Sequence, residues 1–188
     1  MEGSVKDNMK DWSIWCAKVV ELAKIESANR PFIKKLLESM QVGLDLPKPE
    51  AHDMAYLEIL SRLLYPRGFP KITIFMKHFE RTDIDVDAEV SAIEQTELYL
   101  VITGRPGEVS AQTFVCCEKQ VFVISRSIQD GVMDLMGVYF TFDIIFPKHT
   151  CSILIFIQHY IFKLVDDQPL PPATLKLVSN LQKMDTTS

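Results

Sequence analysis

The sequence predicts an α+β fold: N-terminal helices, a small antiparallel sheet containing a β-hairpin, and a C-terminal pair of aromatic helices packed on it. Three observations predict it. Apolar residues recur at steps of three and four through the first third; short runs of β-branched and aromatic residues, separated by turn clusters, occupy the middle; and helical spacing returns from Ile128, on both sides of Phe146-Pro147-Lys148. With 188 residues, 47% hydrophobic and 24% charged, the chain is long enough to bury a core without disulfides or metals. The expected division is a helical lead-in over residues 1–46 and an α+β domain over residues 47–188, folding together.

The first helix is expected from Asn8 to Ile25, because Trp12, Trp15, Cys16, Val19, Leu22 and Ala23 share one face. Pro31 suits the first turn of a second helix, where its missing N–H costs nothing; Phe32, Ile33, Leu36, Leu37 and Met40 form the buried side, and Gly43 ends it. After the stiff Pro47-Lys48-Pro49 connector, Met54, Leu57, Ile59, Leu60, Leu63 and Leu64 predict a third helix closed by Tyr65-Pro66-Arg67-Gly68.

Leu98 to Ile102 is a short apolar run of β-formers stopped by Gly104-Arg105-Pro106-Gly107, whose glycines can supply positive φ. Thr113–Cys117 and Val121–Ile124 flank the polar Glu118-Lys119-Gln120 and predict a hairpin with a bulge or longer loop. Ser127 can cap the next helix, its hydroxyl accepting from the N–H near Asp130. Ile128, Val132, Leu135, Tyr139, Phe142 and Phe146, widened by Met136, Phe140 and Ile144, form a stripe that must be covered on most of its circumference, and Pro147 stops it. Thr150 can cap a partner helix carrying Ile153, Ile157, Tyr160, Ile161 and Leu164, opposite Ser152, His159 and Lys163. Pro171-Pro172 breaks the chain before a last short helix with Leu175, Leu177, Val178 and Leu181.

The net charge of −5 and the single adjacent basic pair, Lys34-Lys35, argue against a nucleic-acid partner, which needs clustered Lys and Arg. Glu80, Asp83, Asp85, Asp87, Glu89, Glu94 and Glu97, facing only Arg81, would repel a phosphate backbone. A membrane span needs about 20 predominantly apolar residues. Asp130, Asp134 and Asp143 interrupt the first C-terminal segment, Gln158, His159 and Lys163 the second, so no membrane partner is expected. Cys16, Cys116, Cys117 and Cys151 lie in apolar surroundings without a C-x-x-C pair, and the first residues lack a signal-peptide pattern. An intracellular location, cytoplasm or nucleus, is the expectation.

The sharpest chemical motif runs from Asp83 to Glu94. Asp83, Asp85, Asp87 and Glu94 fall at positions one, three, five and twelve of an EF-hand calcium loop, but position six, normally glycine for a turn with positive φ, is Ala88. Cys151 and His159 stand about 12 Å apart along a helix, too far to hydrogen-bond. Asp143, beside the apolar stripe, is expected to pair with Lys148 and hold the Pro147 corner. No catalytic, cofactor-binding or metal residue is assigned.

The runs Phe114-Val115-Cys116-Cys117-Glu118-Lys119-Gln120-Val121-Phe122-Val123-Ile124, Val138-Tyr139-Phe140-Thr141-Phe142-Asp143, Phe146-Pro147-Lys148 and Phe156-Ile157-Gln158-His159-Tyr160, with the upstream Ala17 to Lys24 and Leu57 to Pro66, resemble the C-terminal region of a group of uncharacterised vertebrate proteins. These are numerous in fish, and some are labelled sterile alpha motif domain-containing proteins. The resemblance implies a stand-alone or shortened version of a regulatory or transposon-related region and carries over no catalytic residue.

The function expected is therefore a non-enzymatic, intracellular protein-interaction or regulatory domain, its protein partner and oligomeric state unspecified. One alternative is a calcium-binding protein using Asp83, Asp85, Asp87 and Glu94. A second is a small hydrolase, which would need a deep pocket lined by His149, Cys151 or Asp143.

Overall fold

A computed structural model of the chain describes residues 11–31, 33–38, 49–64, 75–105, 111–167 and 169–185. The expected ends of the second and third helices, at Gly43 and at Tyr65 to Gly68, and the Pro106-Gly107 part of the turn cluster lie outside these residues. In chain order the elements are helices α1 (Trp12–Ser27) and α2 (Pro49–Leu64), strand β1 (Met76–Phe79), helix α3 (Val86–Ser91), and strands β2 (Tyr99–Thr103), β3 (Gln112–Cys117) and β4 (Gln120–Ser125). Helices α4 (Ile128–Thr141), α5 (Cys151–Phe156) and α6 (Pro172–Asp185) follow, with α5 continuing as a π-helical turn, Ile157–Ile161. Residues 33–38 are also helical. The fold is α+β.

Contacts gather these elements into two compact units, Met1–Val42 with Ala55–Arg67 and Lys148–Ser188, and Gly43–Met54 with Gly68–Pro147. In the first, α1 buries Trp12, Cys16, Val19, Leu22 and Ala23 of the face its spacing predicts and half-buries Trp15. Pro49, expected in the connector, instead opens α2, where a proline sacrifices no helical hydrogen bond. Tyr56, Leu57, Ile59, Leu60 and Leu64 of α2 are buried, and the Tyr56 ring meets Trp12 edge-on at 5.1 Å. Trp15 meets Phe156 at 5.7 Å and Tyr160 at 5.6 Å. The α6 hydroxyl of Thr174, itself buried, donates to the Ser152 carbonyl at 2.9 Å.

Two expectations about α5 change. Thr150 adopts a helical backbone, φ −105 and ψ −6, and its hydroxyl makes no cap bond, because an N-cap side chain reaches the first amides from an extended backbone. The helix also widens to π geometry at Ile157 and ends at Ile161 rather than Leu164, and Ser152, placed on the polar side by spacing, is buried.

The second unit holds a four-stranded sheet in the order β1-β2-β3-β4. It is mixed rather than antiparallel. β1 runs parallel to β2, with Met76 opposite Leu100 and Phe79 opposite Thr103, while β2–β3 and β3–β4 are antiparallel. The parallel pair requires a crossover, and α3 lies in it where the sequence suggested only an acidic connector. Every residue of β2 is buried. On one face Tyr99 and Val101 cluster with Val90 of α3, Phe114 and Cys116. On the other lies α4, so close that a Cβ on Gly131 would stand 2.4 Å from Thr113 Cγ2 and 3.6 Å from Leu100 Cδ2. The two aromatic helices expected to pack together on the sheet belong to different units: α4 lies on the sheet, whereas α5 falls in the first unit.

Candidate interaction surface

The outermost strand and the end of α4 build the most distinctive surface of the second unit. The β3–β4 hairpin turns through Glu118 and Lys119, whose φ values of 49° and 65° are those of the type I′ turn that matches strand twist. Val115 pairs with Val123 and Cys116 with Val121, leaving Phe122 as the extra residue of a bulge. A bulge bends its strand and re-aims a side chain. Here Phe122, 55% exposed, reaches the Phe142 ring edge-on at 6.1 Å.

α4 starts as its sequence predicts, the Ser127 hydroxyl accepting from the Asp130 amide at 3.0 Å. Ile128, Gly131, Val132, Leu135, Met136, Val138 and Tyr139 are buried. The helix ends at Thr141, not at Phe146. Asp143 turns into the left-handed region at φ +51, and the Ile144 amide donates back to the Tyr139 carbonyl at 2.9 Å, the long bond of a Schellman motif. The chain then folds back so that Phe146 meets Tyr139 at 5.0 Å and Phe140 at 6.5 Å. Phe146 is half-buried, but other residues of the predicted stripe near the helix end face outward: Phe140 and Ile144 are exposed and Phe142 is 60% exposed, and the neighbouring Ile145 is 90% exposed.

Asp143 accordingly has a different role from the one expected. It is an exposed residue in a backbone conformation that Asp tolerates better than most L-residues, not a carboxylate beside the core. Its neighbours share one chemistry. Residues 127–147 carry Asp130, Asp134 and Asp143 and no Lys or Arg. Asp134 accepts from the Ser125 hydroxyl at 2.6 Å, which ties the helix to the end of β4.

The acidic residues singled out from sequence do not converge. Asp85 caps α3, accepting from the Ala88 amide at 3.1 Å, and Asp83 is held by a forked pair of bonds from Arg81 at 2.8 and 2.9 Å. The Arg81 guanidinium lowers the Asp83 pKa. Val86 to Ser91 is helix where a calcium loop would coil, and among the described residues no group of three His, Cys, Asp or Glu side chains gathers as metal ligands. Asp143 belongs to one unit, His149 and Cys151 to the other. Burial pushes the Cys151 thiol upward and raises Cys116 to about 12; Cys117, also raised chiefly by burial, donates to the Thr96 carbonyl at 3.2 Å. All are poor thiolate nucleophiles.

A polar knot unforeseen from sequence sits at the π-helical turn. The buried Gln158 amide donates to the Leu164 carbonyl at 3.1 Å and to Asp166 Oδ2 at 3.2 Å, while His159 Nε2 stands 3.2 Å from Asp166 Oδ1. It ties down the chain leaving α5, where Lys163 takes φ +55.

The fold and surface thus define an α+β protein with an exposed aromatic patch rimmed by aspartates. No family model, no curated protein and no solved structure matches the chain. Among the described residues no helix is long and apolar enough to cross a membrane.

Proposed function

We propose that the chain is a non-enzymatic protein-interaction or regulatory domain acting inside the cell, and that Phe122, Phe140, Phe142, Ile144 and Ile145 form its contact surface. The exposed ring pair of Phe122 and Phe142 carries this reading. Large apolar side chains exposed together and bordered by polar residues characterise binding surfaces, and aromatic side chains supply most of the energy where such surfaces bind. The resemblance to the C-terminal region of uncharacterised vertebrate proteins, which implies a regulatory or transposon-related region, is compatible with this reading.

Proximity labelling in cells tests it by comparing the intact chain with a Phe122→Ser, Phe142→Ser double variant of unchanged thermal stability. The expected outcome is loss of a discrete set of labelled neighbours in the variant. An identical set in both would remove the proposal.

A further inference from the structure

The two glycines of α4 have opposite surroundings. A Cβ on Gly131 would collide with Thr113, so that glycine lets the helix approach the sheet. A Cβ on Gly137 would meet nothing within 4 Å. Glycine inside a helix is less stable than alanine, and no packing among the described residues requires it at position 137. By helical spacing Met133, Gly137 and Phe140 share one stripe, on the side away from buried Leu135 and Tyr139. Along that stripe Met133 is half-buried, Gly137 and Phe140 are exposed, and Phe142, Ile144 and Ile145 continue the apolar surface beyond the helix end. A glycine between two large side chains is a notch, shaped to admit a protruding side chain from a second helix.

The rim states the partner's chemistry. Asp130, Asp134 and Asp143 border the stripe and outnumber Arg126 and Lys148, the exposed cations that flank residues 127–147. A second copy would bring aspartates against aspartates in a chain whose net charge is already −5. Cations flanking an apolar face would instead complement the rim. We infer that the outer face of α4 is a docking groove for a basic amphipathic helix of another protein, with a large aliphatic side chain seated over Gly137 and lysine or arginine beside the three aspartates. The inference deepens the proposed function and rests on it, naming the partner's class at the same surface.

Titration calorimetry of the full-length chain with a synthetic amphipathic helix of leucine and lysine tests it, against a shuffled peptide of the same composition and a leucine–glutamate counterpart. The leucine–lysine helix should bind, and both controls should fail. Gly137→Ala should raise the melting temperature yet weaken binding, and Gly137→Leu should weaken it by about tenfold or more. A purely structural glycine would not couple a stability gain to an affinity loss. Equal binding of the shuffled or glutamate peptide, or unchanged affinity in the Gly137 variants, would overturn the inference. So would sedimentation showing a dimer that Phe140→Ser dissociates, since the occupant would then be a second copy. If the peptide fails while the Phe122 and Phe142 variant still loses its labelled neighbours, the interaction surface stands and only the assignment of its partner falls.

Discussion

Single residues here do work that their chemical class does not announce. Gly131 is required by a distance: adding a methyl group at that position places it 2.4 Å from Thr113 Cγ2, so the helix must lift from the sheet. Gly131→Ala should destabilise the protein by roughly 1–3 kcal/mol in chemical denaturation, the range for overpacking. Asp143 is set by its φ of +51 instead of by its charge. Asp143→Gly should raise stability by about 1 kcal/mol and Asp143→Val should lower it by more, because a β-branched residue suits the left-handed region least. The buried hydroxyl of Tyr99 has no hydrogen-bond partner among the described residues, and burial, with Cys116 and Cys117 nearby, raises its pKa from 10 to about 12. The folded state thus holds this proton more tightly than the unfolded state. The stability tied to the neutral phenol is complete below pH 10 and is lost as pH rises from 10 toward 12. Tyr99→Phe should flatten the fall in melting temperature over that window while leaving stability at pH 7 unchanged or slightly higher, since it deletes an unsatisfied polar atom. A wild-type-like alkaline slope in the variant would contradict this account.

At the scale of elements, caps and turns decide where the segments stop. The Ser127 cap and the hairpin after Cys117 were legible because local chemistry enforces them: a hydroxyl placed before an apolar period, and a short polar break between two β-rich runs. Ser127→Ala should cost about 1 kcal/mol. Replacing Glu118-Lys119 with Asn-Gly should stabilise the hairpin, because both positions need positive φ and neither present residue favours it. Strand β1 was not legible. Its Met76-Lys77-His78-Phe79 alternates only weakly between buried and exposed, and what makes it a strand is the parallel edge of β2, more than twenty residues downstream. The candidate surface was half legible. Its aromatic residues dominate the sequence from Phe140 to Phe146, yet an apolar period does not distinguish side chains facing a core from those facing a partner. Gly137 was the available signal, an apparently unnecessary glycine in the middle of a helical stripe.

For the whole molecule, the first unit draws α1 near the start of the chain together with α5 and α6 near its end. Asn180 donates to the Glu26 carboxylate at 3.3 Å across 154 positions, and Trp15 has Phe156 and Tyr160 as its ring neighbours. Contacts this distant in sequence form only after most of the chain has been ordered, so the helical lead-in has no complete core of its own until residues beyond Cys151 are available. In a chain ending at Pro147, α1 should therefore lose most of its contribution to the helical circular dichroism, because a helix of that length is marginal without tertiary cover. Its tryptophan emission should shift to the red as Trp12 and Trp15 meet water, and it should bind more of a hydrophobic dye than the intact chain does. The sheet offers an internal comparison, since β1 to β4 and α4 all precede Pro147. Amide exchange should show protection lost throughout Trp12–Ser27 in the shortened chain and retained in β2 and β3. Equal protection of α1 in both chains would mean that the lead-in folds on contacts made before Pro147, and the C-terminal helices would then be an accessory to that core instead of half of it.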